Sequence, residues 1–322
     1  MAPQLVFGTA TFGMDMTEFQ DAEAVKRMLQ TVQSLGIQRL DTAPRYPPLN
    51  AGRAEQLLGE AVELSKDFIL DSKIYTDVRQ DGGGDLSRDP MNKSVQASLG
   101  RLNRPQGVNV LYAHRADPST PLTEQIQNFN EQIVQGRCKA WGVSNTPPDV
   151  LENILLLCEK NDWQRPTSYQ GDYNLVTRGM ETRLLPLLRK HNMSFVAFRA
   201  MAAGFLTGNF VNSQHEGTRM SDGNPLGKLV QKVFGDAELH QAVARFDASI
   251  STQGLSSLEV AIRWIVHHSA LRDQDAVILG ASKEAQLRES VSLIQKGPLP
   301  SPVLALVEEL WAAVEPVRSN VL

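Results

Sequence analysis

Residues 39–46 read RLDTAPRY, a short apolar strand followed directly by reactive side chains. Leu40 closes the strand, Asp41 places a carboxylate at its carboxyl end, and Tyr46 adds a phenol. In a parallel α/β barrel, the residues just past the strand ends form the open face where function resides. Alternatively, Asp41 simply caps the next helix. We favour a functional role because later strands end in the same way.

Strand-like and helical segments alternate along the whole chain. The expected strands are a short one closing at Leu40 and residues 5–9, 68–72, 108–112, 138–143, 168–170, 194–198 and 276–279. The expected helices are residues 21–35, 52–64, 90–102, 121–135, 147–160, 181–190, 237–251, 257–268, 283–295 and 302–317. Strict alternation predicts a parallel sheet, and eight units predict a closed (β/α)8 TIM barrel. We expect one domain over residues 1–322, with an extended loop after strand 7, residues 204–234, and a C-terminal helix.

The alternative architecture is an open, doubly wound sheet. Its dinucleotide-binding fingerprint should follow the first strand. Residues 8–13 read GTATFG there, with the wrong glycine spacing. The sequence therefore favours the barrel.

Composition excludes several classes of partner. A formal charge of −4 and a hydrophobic content of 42% give no overall attraction to nucleic acid or to an anionic membrane. No segment approaches the roughly 20 apolar residues of a spanning helix, and the first residues lack a signal-peptide pattern, so we expect a cytoplasmic protein, monomeric or homodimeric. Cys138 and Cys158 are too few for a metal cage and are expected to be buried; no metal is expected.

Polar residues recur at the predicted strand ends, and in a barrel all of them would face one opening. They are Asp41, Lys73, His114, Ser144, Asn145, Gln170, Arg199 and Ser282. A buried lysine needs a partner, which Asp41 on the neighbouring strand can supply. A nearby ammonium also lowers the pKa of a phenol. Tyr46, Lys73 and Asp41, together the proton-donor unit, are therefore predicted to supply a proton, while His114 offers a hydrogen bond to a substrate oxygen.

These residues sit in a series of short motifs. The motifs are LDTAxxY at 40–46, GRxExxLG at 52–59, SK at 72–73, LYxH at 111–114, GVSN at 142–145, YQGxYN at 169–174, GFLTG at 204–208, RWIVHHS at 263–269 and VILGAS at 277–282. Each motif alone is weak, but together and in this order they are very specific. The series resembles the aldo-keto reductase superfamily, NADPH-dependent barrel enzymes, and most of all the branch with the aflatoxin aldehyde reductases.

The resemblance implies a role for each site residue. Tyr46 would donate the proton, Asp41 and Lys73 would tune it, and His114 would orient the substrate carbonyl, with Asp41 also near the NADP(H) cofactor. Nicotinamide contacts would come from Ser144, Asn145, Gln170 and, by stacking, Phe198. The diphosphate would lie against Arg199, Ala200, Met201, Ala203, Gly204, Leu206 and Gly208. The adenosine 2′-phosphate would lie against Gly280, Ser282, Lys283, Gln286, Glu289 and Ser290.

The helix that follows the last strand gives an independent argument for NADP(H). Ser282 stands where an N-cap is expected, and free amides with the helix dipole would attract a phosphate dianion. Lys283 and Gln286 would donate to the same group. The alternative is an ordinary capped surface helix.

Three positions depart from the family pattern. Phe198 replaces a common tyrosine, which stacking tolerates because it needs only a ring face. Arg199 brings a cation beside the diphosphate region, where it would tighten cofactor binding or bind an acidic substrate. Ser290 replaces a usual asparagine near the adenine.

The sequence thus predicts a reductase that converts an aldehyde or ketone, its small-molecule carbonyl substrate, into an alcohol. Two alternatives remain open. One is a cofactor-binding regulatory subunit of the same fold, in which turnover is incidental. The other is an unrelated barrel such as a sugar-phosphate isomerase, which would not bind NADP(H).

Overall fold

Eight parallel strands close into a barrel in the order β1 to β8, with β8 pairing back onto β1. This computed structural model describes residues 2–77, 83–209, 211–213, 221, 223 and 225–320. The strands are β1 Gln4–Gly8, β2 Arg39–Asp41, β3 Ile69–Lys73, β4 Val108–Ala113, β5 Cys138–Ser144, β6 Ser168–Asp172, β7 Ser194–Phe198 and β8 Ala276–Gly280. The predicted (β/α)8 barrel is confirmed, and the open doubly wound sheet is excluded.

Helices connect the strands on the outside of the barrel. They are α1 Ala22–Ser34, α2 Arg53–Glu60, α3 Val62–Ser65, α4 Arg88–Leu102, α5 Leu122–Val134, α6 Pro148–Asn161, α7 Leu184–Lys190, α8 Pro225–Val233, α9 Ala237–Thr252, α10 Ser257–His267, α11 Glu284–Gln295 and α12 Ser301–Arg318. None of the described helices is long and apolar enough to cross a membrane. Within these same residues no group of three or more His, Cys, Asp or Glu side chains could hold a metal ion.

Helix α1 forms where the hydrophobic period predicts it. The Asp21 carboxylate accepts a hydrogen bond from the Ala24 amide at 2.8 Å, which satisfies one of the free donors at the helix start. Val25, Leu29 and Val32 lie on one face at three- and four-residue spacing and are fully buried. The capping residue and the apolar stripe together fix this helix against the barrel.

The predicted helix 52–64 is interrupted at Ala61, which leaves helical geometry at φ −101° and ψ 28°. The break separates α2 from α3. It lets the Ser65 hydroxyl donate to the Leu58 carbonyl at 2.9 Å. In a continuous helix, two residues seven positions apart would be roughly 10 Å apart along the axis, so this bond requires the interruption.

The connection after β7 contains more regular structure than its composition indicates. Short 3₁₀ turns lie within Ala202–Thr207, interrupted by a kink at Ala203 and Gly204, and α8 lies within the predicted loop 204–234. Residues 210, 214–220, 222 and 224 of that loop lie outside the described residues. Phe234, just after α8, is buried, and Arg318 of α12 lies 4.9 Å from its ring centre. The loop is thereby tied to the C-terminal helix.

The barrel interior is apolar along part of β1, β7 and β8 and polar along β2 and β3. Val6, Val196, Ala276 and Ile278 form a small apolar cluster inside the barrel, with Phe198 packed against it. The inward positions nearer the carboxyl ends of several strands carry polar side chains instead. This polar end is the face on which barrel enzymes place their sites.

Candidate active site at the carboxyl end of the barrel

A buried ion pair between β2 and β3 is the centre of the site. The Lys73 ammonium contacts both Asp41 carboxylate oxygens at 2.7 and 2.8 Å and the Thr42 carbonyl at 2.9 Å. The Gln170 amide donates to the same carboxylate at 2.8 Å. Lys73 and Asp41 are only 1% and 3% exposed, so each charge is held by its partner. The predicted pairing of Asp41 with Lys73 is confirmed.

Tyr46 lies beside this pair. The Lys73 Nζ atom is 5.0 Å from the centre of the Tyr46 ring. Burial raises the pKa of the Tyr46 phenol above its ordinary value, and the opposing effect of the Lys73 ammonium is not large enough to cancel it. A lowered pKa was expected from Lys73 alone. That net direction is wrong because desolvation of the partly buried phenolate outweighs the nearby cation.

His114 meets Tyr46 edge to face, with ring centres 5.9 Å apart and an interplanar angle of 87°. Burial, followed by the charges of Lys73, Arg45 and Arg115, holds the His114 pKa well below 6.5. Its Nδ1 atom is buried and has no hydrogen-bond partner among the described residues. His114 is therefore a neutral imidazole with unused hydrogen-bonding capacity beside the phenol.

Ser144 ends β5, Asn145 follows it, and Gln170 is the register partner of Ser144 on β6. Gln170 was expected to end β6, but the strand continues to Asp172. Asn145 is in the left-handed region at φ 50°, and its amide nitrogen donates to the Ser144 hydroxyl and to the His114 carbonyl, each at 3.0 Å. Gln170 uses its nitrogen for Asp41. In the described part of the chain, no group donates to the side-chain oxygens of Asn145 and Gln170. Two amide acceptors next to His114 and Asp41 are therefore open to a ligand.

Phe198 and Arg199 close the opposite side of the opening. The Arg199 guanidinium lies 5.5 Å from the Phe198 ring centre and bonds the buried Asp172 carboxylate at 3.0 Å. Asn174 supports this arrangement by donating to Asp172 and to the Arg199 carbonyl. The Arg199 side chain is 46% exposed, so a solvent-accessible cation stands beside an aromatic ring at this edge.

The turn after β7 has an unusual backbone. Arg199, Ala202, Ala203 and Gly204 all have positive φ values, of 55°, 49°, 58° and 99°. Such conformations are costly for residues other than glycine and cluster at functional sites. Gly208 also has a positive φ, and a side chain there would collide with Asp247.

The remaining predicted residues of this turn differ in exposure. The side chains of Ala200 and Leu206 are buried, at 4% and 0%, whereas Met201 is partly exposed. Any cofactor contact of Ala200 and Leu206 would therefore run through the backbone.

The start of α11 differs from the prediction. The N-cap is Lys283 rather than Ser282. The amides that were expected to be free are occupied: the Gln286 side-chain oxygen accepts from Ser282 and Lys283 at 2.8 and 3.2 Å. Glu18, from the connection after β1, accepts from the Glu284 amide at 3.0 Å. A phosphate at this helix would have to displace the Glu18 carboxylate.

The other residues predicted to contact the adenosine phosphate are mostly exposed or bonded within their own helix. Gly280 ends β8 on the surface with open space on its Cβ side, and Lys283 and Glu289 are exposed. The Ser290 hydroxyl is turned to its own helix, donating to the Gln286 carbonyl at 2.9 Å. The exposed Lys283 ammonium is the better candidate for a phosphate contact.

The sequence did not identify Arg39, Asp71, Asp172 or Glu18 as parts of the site. Arg39 and Asp71 form a buried ion pair at 2.7 Å, and Asp172 anchors Arg199. A signal was present for Asp71 and Asp172, because a carboxylate inside an apolar strand requires a partner. Glu18 gave no signal, since its contact is 266 positions away in the chain.

The two cysteines, Cys138 and Cys158, are buried and free, as predicted. Burial raises the pKa of the Cys158 thiol to about 11, which keeps it protonated at neutral pH. They take no part in the site.

Comparison with known proteins agrees with the barrel fold. The family model described as the aldo/keto reductase family matches residues 4–312. Aflatoxin B1 aldehyde reductase member 2 of Rattus norvegicus is 31% identical over 323 residues, covering 98% of this chain and 86% of that protein. The oxidoreductase sirO of Leptosphaeria maculans is 31% identical over 322 residues, covering 98% and 95%. The chain belongs to the aldo/keto reductase family and is an oxidoreductase.

Proposed function

We propose that this protein reduces an aldehyde or ketone to an alcohol with NADPH, using Tyr46 as the proton donor. The observation that carries the proposal is the buried Lys73 ammonium, which bonds both oxygens of Asp41 and lies 5.0 Å from the Tyr46 ring centre. Relatives named as aldehyde reductases support a carbonyl substrate.

Each residue of the proton-donor unit has a distinct task. Tyr46 donates its proton to the substrate oxygen as that oxygen becomes an alkoxide. Lys73 opposes the effect of burial on the Tyr46 pKa, and Asp41 keeps Lys73 in place. His114 stays neutral because its pKa is low, and the N–H of the neutral imidazole can donate a hydrogen bond to the carbonyl oxygen. Together they orient the carbonyl and hold a proton at its oxygen.

The residues at the barrel mouth fit NADPH, which would supply the hydride. Asn145 and Gln170 present unused amide oxygens to the carboxamide, beside the Ser144 hydroxyl. Phe198 offers a ring face for stacking, and Arg199 offers a cation to the diphosphate. Contacts from the turn after β7 through Ala203, Gly204 and Gly208, and from Ser282 and Lys283 after β8, complete the proposed site.

The proposal is tested with purified protein, NADPH and a panel of aldehydes and ketones. NADPH binding is followed by its fluorescence, and turnover is followed by NADPH absorbance. We expect binding together with carbonyl-dependent oxidation of NADPH. Binding without turnover of any substrate would favour the regulatory subunit, and absence of binding would refute the reductase assignment.

A further inference from the structure

A second buried ion pair lies next to the proton-donor unit. Arg39 contacts the Asp71 carboxylate through Nη2 at 2.7 Å and Nε at 2.8 Å, and their side chains are 14% and 1% exposed. The other oxygen of Asp71 accepts from the Asn109 side chain at 2.8 Å and from the Val110 amide at 3.1 Å. Asp71 thus has donors on both of its oxygens.

The two ion pairs are related by the strand register. Side chains alternate along a strand, so Arg39 shares the inward face of β2 with Asp41, and Asp71 shares that of β3 with Lys73. Asp41 and Asp71 are register partners on the two neighbouring strands. Each strand contributes one acid and one base, and each base bonds the acid of the other strand. Two carboxylates therefore stand side by side.

Side-by-side carboxylates repel unless both are neutralised. Burial raises the pKa of Asp71, the charge of Asp41 adds to that effect, and Arg39 opposes it. Lys73 is two residues beyond Asp71 on β3. An uncompensated Asp71 would thus attract the ammonium that Asp41 now holds.

Other charged and titratable groups face the same region. Tyr112 of β4 and Asp41 face Arg39, while Gln4 of β1 makes a long contact to it at 3.4 Å. His114 packs against Tyr46. Arg199 lies near enough for its charge to lower the pKa of Tyr46. None of these groups bonds Asp71 in the described residues. Arg39 is therefore the cation that balances Asp71.

We propose that Arg39 is a positioning residue for the reaction: by pairing with Asp71, it keeps Lys73 on Asp41 and beside Tyr46. This inference rests on the proposed function, because it requires Tyr46 to be the proton donor. Arg39 itself touches neither substrate nor cofactor in this account. Its effect is transmitted through the charges of the two neighbouring strands.

The test uses the ionisation that ends turnover on the alkaline side of the kcat/KM profile, which reports the proton donor. Asp71→Asn leaves Arg39 as an unbalanced cation, so the ionisation should move to lower pH by roughly half to one unit. Arg39→Gln leaves Asp71 as an unbalanced anion, so the alkaline ionisation should move to higher pH. The double variant should return it close to the wild-type position.

Charge and structure are separated by matched controls. Arg189 and Asp275 form another buried pair, 13% and 0% exposed, whose carboxylate also accepts a backbone amide from Phe195. Asp275→Asn should cost stability without moving the ionisation. Arg39→Lys keeps the charge and should also leave it in place.

Shifts of the same sign in the two single variants would overturn the proposal, as would a folded Asp71→Asn protein with the wild-type ionisation. If only one single variant folds, the direction of its shift decides. If neither single variant folds, the double variant decides. An alkaline ionisation that differs from wild type in the double variant would contradict the claim that the two charges balance each other. Wild-type turnover in Tyr46→Phe would instead refute the proposed proton donor, so the two failures are distinguishable.

Discussion

The Lys73 ammonium lies 5.0 Å from the centre of the Tyr46 ring, within the range of a cation–π contact. Desolvation raises the pKa of the Tyr46 phenol, which makes it a weaker acid than a phenol in water. The ammonium counteracts this effect in part, and Asp41 holds it in position through two short contacts. The proposed chemistry therefore depends on an ion pair that the substrate need not touch.

Replacing Lys73 by Met should impair catalysis and stability together. Without the ammonium the Tyr46 pKa rises further, so the alkaline ionisation of the kcat/KM profile moves to higher pH and turnover falls by about 10² or more. Asp41 is left as an unpaired buried carboxylate, which costs about 3–5 kcal/mol. The pH profile and chemical denaturation measure the two effects.

The double variant Asp41→Asn with Lys73→Met provides the control for that prediction. It removes the unpaired charge, so we expect much of the stability to return without the activity. An unshifted ionisation in Lys73→Met would contradict the proposed tuning of Tyr46.

Cofactor choice should depend on Glu18 as well as on the predicted phosphate contacts. We expect NADPH to bind more tightly than NADH. The double variant Ser282→Ala with Lys283→Ala should reduce this difference in affinity, chiefly by weakening NADPH binding. Glu18→Gln should strengthen NADPH binding selectively, because it removes the anion from the Glu284 amide. Dissociation constants from fluorescence titration measure both effects.

Asp15→Asn is the matched control for Glu18→Gln, since Asp15 is an exposed carboxylate in the same connection. It should leave both affinities unchanged. Equal affinity of the unmodified protein for NADPH and NADH would contradict the phosphate assignment.

Asp117 should contribute stability that is lost in acid. Burial would raise its pKa, but donors from Thr120, Gly84, Leu86 and Ser119 outweigh burial and lower it. A lowered folded-state pKa means that the contribution is present above the unfolded value of about 3.9 and disappears as pH falls through the folded value. Asp117→Asn should cost about 1–3 kcal/mol at neutral pH and flatten the loss of stability in acid.

Urea denaturation between neutral pH and pH 3 measures this effect. The exposed Asp273→Asn is the control and should stay within about 0.5 kcal/mol of wild type. An Asp117→Asn variant with the same acid sensitivity as wild type would contradict the assignment.

The sequence predicted those features that depend on local pattern. Alternating strand and helix periods gave the barrel, and polar residues at strand ends gave Asp41, Lys73 and His114. Register between strands is not encoded locally, so the pairing of Arg39 with Asp71 was not foreseen. Tyr46 lies beside Lys73, as predicted, but the direction of its pKa depends on desolvation, which the sequence does not give.

Two other differences have physical causes. Helix α8 was missed because the segment around it is rich in Gly and Asn, although its own residues, PLGKLVQKV, are mostly helix formers. The acceptor of the Glu284 amide comes from Glu18, at the other end of the chain. Closing the barrel brings these ends together, which no local window can reveal.

The most direct measurement is the turnover of Tyr46→Phe, which keeps the ring and removes the ionisable hydrogen. With NADPH and a substrate that the wild type reduces, kcat should fall by about 10² to 10⁴ while the dissociation constant for NADPH barely changes. Tyr75→Phe, at an exposed phenol two residues after Lys73, should keep full activity. Wild-type turnover in Tyr46→Phe would contradict the role of Tyr46 as the proton donor.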